Sequence, residues 1–365
     1  MNQTERLHAV FDRTPLDHLP WVPDLTYWRR ACDTRGVLPP EYGGGHDGYR
    51  RLHEACDTCA YYGIGDTSAF IKEEGIKRSS HEDGDMLIER IECDGHTLEQ
   101  HSRWLPESWC RARTKYYVAD VSDLAVVREI FRRRTYAPNP NVNQQAAAFE
   151  GIGVPITAMP RSPFPALFAD WIGVEATVYM VIDEPDEIEQ TLRVIDQTND
   201  GFFTFLPNSN ARICHFCDNL TADTMGGFWD LYCAEYYARR VAQIHAAGKA
   251  CVTHLDGATR GLIPKLVASG LDGIESLTPK PVGDITMDEM VTLMGDSDTV
   301  FWGGLPGAMF APPFEWRDLR TMIDGLFRLH RNGQRVVIAS ADQVPPHASL
   351  DTIKQVTKYV EELGV

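Results

Sequence analysis

Residues 248–284, GKACVTHLDGATRGLIPKLVASGLDGIESLTPKPVGD, decide the fold of this chain. The stretch reads as a strand, a helix and a second strand. Because side chains alternate along a strand, His254 and Asp256 point to the same side, about 7 Å apart along the backbone. Gly270 ends the helix, and the second strand carries Glu275 near its end. A parallel β/α repeat with polar residues at the carboxyl ends of its strands predicts a ligand-binding face at those ends.

The same alternation of strands and helices runs through the second half of the chain. One long helix is predicted over residues 228–247. Together these units predict an α/β fold, a single (β/α)8 TIM barrel that spans residues 1–365. No glycine-rich nucleotide-binding fingerprint or phosphate loop is present in the sequence. The further strands are predicted at 156–159, 212–217, 300–302 and 335–339.

A different pattern occupies the first half of the chain. Apolar and polar residues alternate on both sides of Asp94-Gly95, which is a typical hairpin signal. We therefore expect an antiparallel β-hairpin within a β-rich insertion at about residues 70–117. The insertion is expected to belong to the barrel rather than to form a separate domain.

The composition limits the classes of partner. The net charge of −17 argues against nucleic acid or an anionic membrane as the main partner. The N-terminal segment is an amphipathic helix rather than a signal peptide, and no apolar run is long enough to span a membrane. Nine cysteines without a regular framework indicate reduced thiols. We therefore expect a cytoplasmic protein.

The predicted strand ends gather ionisable residues: Asp218, His254, Asp256, Glu275 and Asp342. Such a group could hold a divalent ion such as zinc, which accepts imidazole nitrogen and carboxylate oxygen. It could also act as a general acid and base, with burial raising the pKa of one carboxyl group. Each acid has a plainer interpretation as a residue that caps a turn or a helix.

Other candidates also have two interpretations. Cys233 lies on the apolar stripe of the predicted helix, which favours core packing. Trp302 and Met309 flank a glycine-rich loop, where they could line a substrate pocket or pack in the core. Trp171 is a further aromatic residue that could stack on a substrate.

Five segments together resemble the uroporphyrinogen decarboxylase superfamily over nearly the whole chain. The family implies a single barrel with its site at the carboxyl ends of the strands. True decarboxylases carry an Arg-Gln-Ala-Gly-Arg motif that grips the substrate carboxylates, and here that region reads TYWRRACDTRG. The segments are TERLHAVFDRTPLDHLPWVP at the start, the hairpin at 85–104, HLDG, LDGIESLTPKPVGD and SADQVPP near the end.

The other branch of the superfamily contains zinc-dependent, cobamide-dependent methyltransferases. Those that methylate thiols resemble one another in a His-x-Cys pair and a later Cys, where this chain has His254, Asp256 and Asp342. Hard carboxylates in place of thiolates favour an oxygen-containing substrate. Some O-demethylase members resemble an acid-x14-acid-x20-His pattern, which falls here on Asp218, Cys233 and His254. The resemblance thus implies zinc ligands at His254 and Asp218, with Cys233 or Glu275 completing the set.

The implied function is that of methyltransferase I of an O-demethylase. Such an enzyme moves a methyl group from an O-methyl donor, such as a methoxylated aromatic, to the Co(I) corrinoid of a partner protein. Asp256, Asp342 and Glu275 are the expected catalytic residues, and Trp302, Met309 and Trp171 the expected substrate-binding residues. Metal-free decarboxylation of another acid remains an alternative, as does a corrinoid or porphyrin carrier without activity.

Overall fold

A computed structural model describes residues 1–65 and 67–364 of the chain. The strands in this part are β1 (Trp21–Val22), β2 (Ala69–Glu73), β3 (Lys77–Asp83), β4 (Met86–Cys93), β5 (His96–Leu105), β6 (Cys110–Lys115), β7 (Arg134–Pro138), β8 (Ile156–Ala158), β9 (Ile213–Leu220), β10 (Ala250–Leu255), β11 (Gly273–Leu277), β12 (Val300–Pro306) and β13 (Val336–Ala341).

The α-helices lie before, between and after these strands. They are α1 (Gln3–Asp12), α2 (Thr26–Thr34), α3 (Gly45–Cys56), α4 (Asp123–Arg132), α5 (Gln144–Ala148), α6 (Pro163–Ala166), α7 (Val174–Asp183), α8 (Pro185–Phe203), α9 (Ala222–Met225), α10 (Trp229–Tyr232), α11 (Ala234–Ala246), α12 (Ile263–Ala268), α13 (Met287–Met294), α14 (Trp316–Arg331) and α15 (Leu350–Leu363). None of the described helices is both long and apolar enough to cross a membrane.

The chain divides into two compact units. Unit 1 consists of residues 1–67, 141–159 and 209–365, and unit 2 of residues 68–140 and 160–208. The predicted β-rich insertion at about 70–117 lies within unit 2, which also takes in the helices α4, α6, α7 and α8.

Unit 1 is built on a seven-stranded sheet in the order β1-β13-β12-β11-β10-β9-β8. Every neighbouring pair in this sheet is parallel. Helices connect the successive strands from β9 onward, which confirms the predicted α/β fold based on β/α repeats. Strands β10 and β11 are in a register that places His254 opposite Glu275.

Alternate residues of these strands form the core of unit 1. Ile213, Val252, Val300 and Val337 belong to one cluster of buried side chains, together with Leu7 and Val10 from α1. Two residues further along β9, β10 and β11, the same side of the sheet carries His215, His254 and Glu275 instead. An apolar layer therefore lies beneath a polar layer, and the polar layer is nearer to the carboxyl ends of the strands.

The closed eight-stranded barrel is not confirmed, because the described residues form seven strands in this sheet. A short segment nevertheless bonds to the edge strand β1 and to the chain just before the other edge strand, β8. The Cys59 amide donates to the Trp21 carbonyl over 2.9 Å, and the Ala60 amide donates to the Ile152 carbonyl over 3.0 Å. Ala60 also forms an isolated parallel bridge with Gly153.

The long helix predicted over residues 228–247 is divided in the structure. Helix α10 ends at Tyr232 and α11 begins at Ala234, with Cys233 at the junction in a distorted helical conformation. The apolar stripe did predict the buried side correctly, since Trp229, Cys233 and Tyr237 are all buried.

Unit 2 contains the predicted hairpin. Strands β4 and β5 pair antiparallel from Met86 opposite Arg103 to Cys93 opposite His96. Asp94 and Gly95 in the turn have φ angles of 49° and 82°, the left-handed conformation that two-residue hairpin turns require. The hairpin belongs to a four-stranded sheet, β3-β4-β5-β6, and β2 pairs with β7 separately.

Candidate functional site

The site is built around His254, the next-to-last residue of β10. The Nδ1 atom of His254 donates to Oε2 of Glu275 over 2.7 Å, as the register of β10 and β11 allows. The Nε2 atom points the other way and has no hydrogen-bond partner among the described residues. The ring therefore has one nitrogen fixed by a carboxylate and one nitrogen available.

Glu275 is fully buried and is held at both of its oxygens. Besides the bond from His254, its Oε1 atom accepts a hydrogen bond from the Tyr62 hydroxyl. Burial alone would raise the pKa of Glu275, but the charge and hydrogen bond of His254 outweigh it and lower the pKa. Glu275 is thus an ionised carboxylate in a buried position.

The same pair determines the charge of His254. Burial favours the neutral ring, yet the Glu275 carboxylate and the nearby carboxylate of Asp256 raise the pKa of His254 well above its ordinary value. Without a bound cation, His254 is therefore an imidazolium ion paired with Glu275.

His215, on β9, is a third member of this buried layer and was not predicted. Its Nε2 atom lies 3.4 Å from Oε2 of Glu275 without forming a hydrogen bond, and its Nδ1 atom lies 3.2 Å from the Tyr61 hydroxyl. Burial lowers the pKa of His215 to about 4, so the ring is neutral near pH 7. The Tyr61-Tyr62 pair was missed as well, because residues 25–65 show no strand periodicity.

Two carboxylates face the free nitrogen of His254. The Asp256 Oδ2 atom lies 3.6 Å from His254 Nε2, and the Asp342 Oδ1 atom, just after β13, lies 3.9 Å away. Both aspartates are partly open to solvent, with side-chain exposures of 35% and 46%. Burial of its carboxyl group raises the pKa of Asp342 to about 6. The prediction that Asp256 and His254 share one side of the strand is confirmed.

A buried network fixes the loop that carries Asp342. The Asp24 carboxylate accepts hydrogen bonds from Gln343 Nε2 and from the amide and hydroxyl of Thr26. The Asp24 amide donates to the Ser340 hydroxyl over 2.8 Å, and the Val344 amide donates to the Asp24 carbonyl over 2.9 Å. Residues on both sides of Asp342 are therefore tied to the loop after β1.

Two groups of side chains in the described residues have the composition of a metal site. One is His215, His254 and Glu275, and the other is His254, Asp256 and Asp342. Ligand atoms bound at ~2.1 Å to a tetrahedral ion lie ~3.4 Å apart. The distance of 2.7 Å between His254 and Glu275 is a hydrogen bond and is too short for two ligands of one such ion.

The second group fits a divalent cation better. Its nitrogen–oxygen distances of 3.6 and 3.9 Å are close to a tetrahedral edge, and its buried Nε2 atom has no hydrogen-bond partner in the part of the chain that the structure describes. Glu275 then acts as the carboxylate that orients a metal-binding histidine through its other nitrogen. One imidazole and two carboxylates leave a coordination position open toward solvent.

Asp218 and Cys233, which the resemblance implied as ligands, are not in either group. Both are buried beside Tyr237, whose hydroxyl donates to Asp218 and lies 3.2 Å from Thr253 Oγ1. Burial, and to a smaller extent the nearby charge of Asp218, raises the pKa of the Cys233 thiol well above its ordinary value. The thiol therefore does not readily form the thiolate that binds a metal. Their position indicates a polar contact between β9 and α11 rather than a shared ion with His254.

The three residues expected to bind substrate lie in different surroundings. Trp302 is fully buried, and its ring packs against Phe11 and Tyr61 in the core of unit 1. Met309 is buried in a 3-10 helix after β12. Trp171 is in unit 2 and packs there against Tyr117 and Phe131. These contacts do not support direct stacking on a substrate, and that role stays a prediction.

Comparison with known proteins finds a matching family by sequence and several similar solved structures. The family model described as Uroporphyrinogen decarboxylase (URO-D) matches residues 142–363, which is more than half of the chain. A solved structure of a methyltransferase from Methanosarcina mazei is similar over 100% of this chain and 99% of its own, with a TM-score of 0.64 and 13% identity. A 3-hexulose-6-phosphate synthase is similar over 55% of this chain and 86% of its own, with a TM-score of 0.23 and 14% identity. No curated protein matches the sequence.

Proposed function

The chain belongs to the uroporphyrinogen decarboxylase family, and from this premise we propose that it is a metal-assisted methyltransferase. In this proposal it moves a methyl group from an O-methyl donor, such as a methoxylated aromatic, to the Co(I) corrinoid of a partner protein. The observation that supports this proposal is the group formed by His254, Asp256 and Asp342. In it, the buried Nε2 atom of His254, which has no hydrogen-bond partner among the described residues, faces two carboxylates. The structural neighbour from Methanosarcina mazei is named a methyltransferase, and the likeness of fold agrees with this proposal.

The donor atoms suit the proposed substrate. His254 would hold a divalent cation such as zinc through Nε2, and Asp256 and Asp342 through their carboxylate oxygens. The bound cation would supply Lewis-acid stabilisation of the oxygen that the methyl group leaves. Carboxylate ligands in place of thiolates favour an oxygen donor at the open position.

The chain's own residues have distinct parts in this scheme. Glu275 accepts a hydrogen bond from Nδ1–H of His254 and keeps the ring turned so that Nε2 faces Asp256 and Asp342. As the methyl–oxygen bond breaks, the oxygen keeps the bonding electron pair, the methyl group joins Co(I), and a proton later neutralises the oxygen. Because Asp256 and Asp342 would hold the cation, that proton comes from solvent, to which both side chains are partly open.

We also propose that residues 59–61 complete an eight-stranded barrel. The segment bonds to Trp21 at the β1 edge and to Ile152 and Val154 near the β8 edge of the sheet. Tyr61 is the last residue of this segment and Tyr62 follows it, so closure of the sheet at this point would bring both hydroxyls to the site.

A second candidate function is metal-free decarboxylation of another acid. One observation favours it: Asp342 has a pKa raised to about 6 and lies beside a histidine that is cationic without metal. Such a pair could bind a carboxylate substrate and supply the proton that replaces carbon dioxide.

Elemental analysis and an activity assay test the proposal together. We expect about one divalent ion for each wild-type chain, as one group of three ligands allows. His254→Ala and Asp342→Asn should lose the ion, together with methyl transfer from a methoxylated arene to cob(I)alamin. His245→Ala is the matched control, because His245 is a half-exposed residue that bonds Asp272 outside this group.

Two outcomes separate the candidate functions. Full activity in a metal-free His254→Ala protein rules out the metal-assisted mechanism. Release of carbon dioxide by a metal-free wild-type protein favours the decarboxylase, whereas a stoichiometric ion excludes the metal-free scheme.

A further inference from the structure

We propose that Tyr62 is a positioning residue that keeps Nε2 of His254 turned toward Asp256 and Asp342. It acts through Glu275 and does not touch the cation or the substrate. The inference rests on the metal site of the proposed function.

The first support is that one carboxylate joins Tyr62 to His254. Oxygen Oε1 of Glu275 accepts from the Tyr62 hydroxyl, and Oε2 accepts from His254 Nδ1 over 2.7 Å. All three residues are more than nine-tenths buried, and Glu275 is 0% exposed. Water therefore has little access with which to replace either hydrogen bond.

The second support is a competing partner for the same carboxylate. His215 Nε2 lies 3.4 Å from Oε2 of Glu275, is buried, and has no hydrogen-bond partner among the described residues. Without the Tyr62 hydroxyl, Oε1 would be a buried charged oxygen without a donor. A turn of the carboxylate toward His215 would then satisfy it at the expense of the bond to His254.

The consequence for His254 is a loss of orientation. Its ring is held by Glu275 at Nδ1, and its Nε2 contacts with Asp256 and Asp342 are longer, at 3.6 and 3.9 Å. Partners that orient a metal-binding histidine typically contribute 10–100-fold to metal affinity. Because Tyr62 holds Glu275 in place, we expect removal of its hydroxyl to weaken metal binding by a comparable factor.

The neighbouring residue supplies a matched control. Tyr61 is also buried, packs its ring against Tyr62 at 5.1 Å, and directs its hydroxyl to His215 Nδ1 rather than to Glu275. Tyr61→Phe and Tyr62→Phe each remove one buried hydroxyl from adjacent positions, but only the second removes a donor to Glu275.

The first experiment measures the affinity of the full chain for Zn²⁺ by competition with a chromophoric chelator. We expect Tyr62→Phe to weaken zinc binding by about 10–100-fold, and Tyr61→Phe to change it by less than about threefold. Circular dichroism checks that both variants are folded. Unchanged affinity in Tyr62→Phe, or an equal loss in both variants, would overturn the inference.

The second experiment needs no metal. In metal-free protein labelled with ¹⁵N-histidine, the Nδ1–H group of His254 should give a slowly exchanging signal, assigned by its loss in His254→Ala. Tyr61→Phe should keep that signal and Tyr62→Phe should lose it. Failure of the wild type to bind zinc would count against the proposed function, whereas a signal that persists in Tyr62→Phe would count against the role of Tyr62.

Discussion

Glu275 is the residue on which the charge of the site depends. It is fully buried and carries a negative charge that His254 neutralises, so each group raises the stability of the other's ionised form. Replacement by glutamine keeps the shape and removes the charge. His254 must then lose its proton or stay charged in a buried position without the carboxylate that bonds its Nδ1 atom.

We therefore expect Glu275→Gln to lower the free energy of unfolding of the metal-free protein by about 3–5 kcal/mol. Urea denaturation near pH 7 measures the change. Glu54→Gln is the control, because Glu54 pairs with Arg50 on the exposed surface of α3, where such pairs contribute about 0.3–0.5 kcal/mol. Equal losses in the two variants would show that Glu275 is not paired as described.

His53, in α3, gives a prediction for the pH dependence of stability. It is fully buried in the last turn of α3, and its Nδ1 atom lies 2.8 Å from the Thr58 hydroxyl. Burial lowers the pKa of His53 to about 3. Between its ordinary pKa, about 6.5, and this value, the unfolded chain binds a proton that the native protein does not. The contribution of His53 to stability is therefore complete above pH 6.5 and is lost as the pH falls.

Stability measured between pH 6 and pH 4 should accordingly fall by up to about 1.4 kcal/mol for each pH unit on account of this one residue. His53→Gln cannot titrate and should remove that part of the slope. His18→Gln is the control, since His18 is a partly exposed residue near the N-terminus. An unchanged slope in His53→Gln would show that protonation of His53 is not linked to unfolding.

At the level of single residues, the sequence predicted those parts of the site that follow from one strand. The period of two placed His254 and Asp256 on one side, and the end of the next strand supplied Glu275. The partners Tyr62 and Tyr61 reach the site across 213 and 154 residues of sequence, and no periodicity records such contacts. His215 lies between Cys214 and Phe216 in β9, and its contacts with Glu275 and Tyr61 come from other elements.

Among the elements, the strands are irregular where they meet the site. Between Ile274 opposite Phe301 and Leu277 opposite Gly303, β11 places two residues against one of β12. The extra residue, Ser276, has a φ of 66°, and its buried hydroxyl has no partner among the described residues. This bulge turns the chain just after Glu275. Register shifts of this kind depend on the neighbouring strand and are not visible in the sequence of β11 alone.

The bulge predicts an unusual order of stabilities at position 276. A left-handed conformation costs a residue other than glycine about 1–2 kcal/mol, so Ser276→Gly should leave stability unchanged or raise it by up to about 1 kcal/mol. Ser276→Val should lower it by at least about 2 kcal/mol, because a β-branched side chain disfavours this conformation. Ser276→Ala separates the hydroxyl from the backbone effect. Thermal unfolding gives the order, and a glycine variant as unstable as the valine variant would contradict it.

For the whole molecule, the repetition of strands and helices was enough to predict the fold class but not the boundaries of the two units. The insertion was expected at about 70–117, yet unit 2 also includes residues 118–140 and 160–208. The first strand of unit 2, β2, pairs with β7 and places Ala69 opposite Pro138. No local sequence pattern indicates this pairing. The proposed closure of the sheet likewise rests on residues 59–61, which show no alternation of apolar and polar residues.

Closure can be tested at Gly153, where two backbones meet. A Cβ atom at this position would lie 2.1 Å from the Ala60 carbonyl oxygen, which also accepts a hydrogen bond from the Val154 amide over 2.9 Å. If residues 59–61 join the two edges of the sheet, Gly153→Ala should push them apart and cost about 2–4 kcal/mol of unfolding free energy. It should also reduce the hydrogen-exchange protection of the Ala60 and Val154 amides toward that of a frayed edge. Gly227→Ala is the matched control, because a Cβ atom there meets nothing within 4 Å. Equal stability in the two variants would mean that residues 59–61 do not close the sheet at this point.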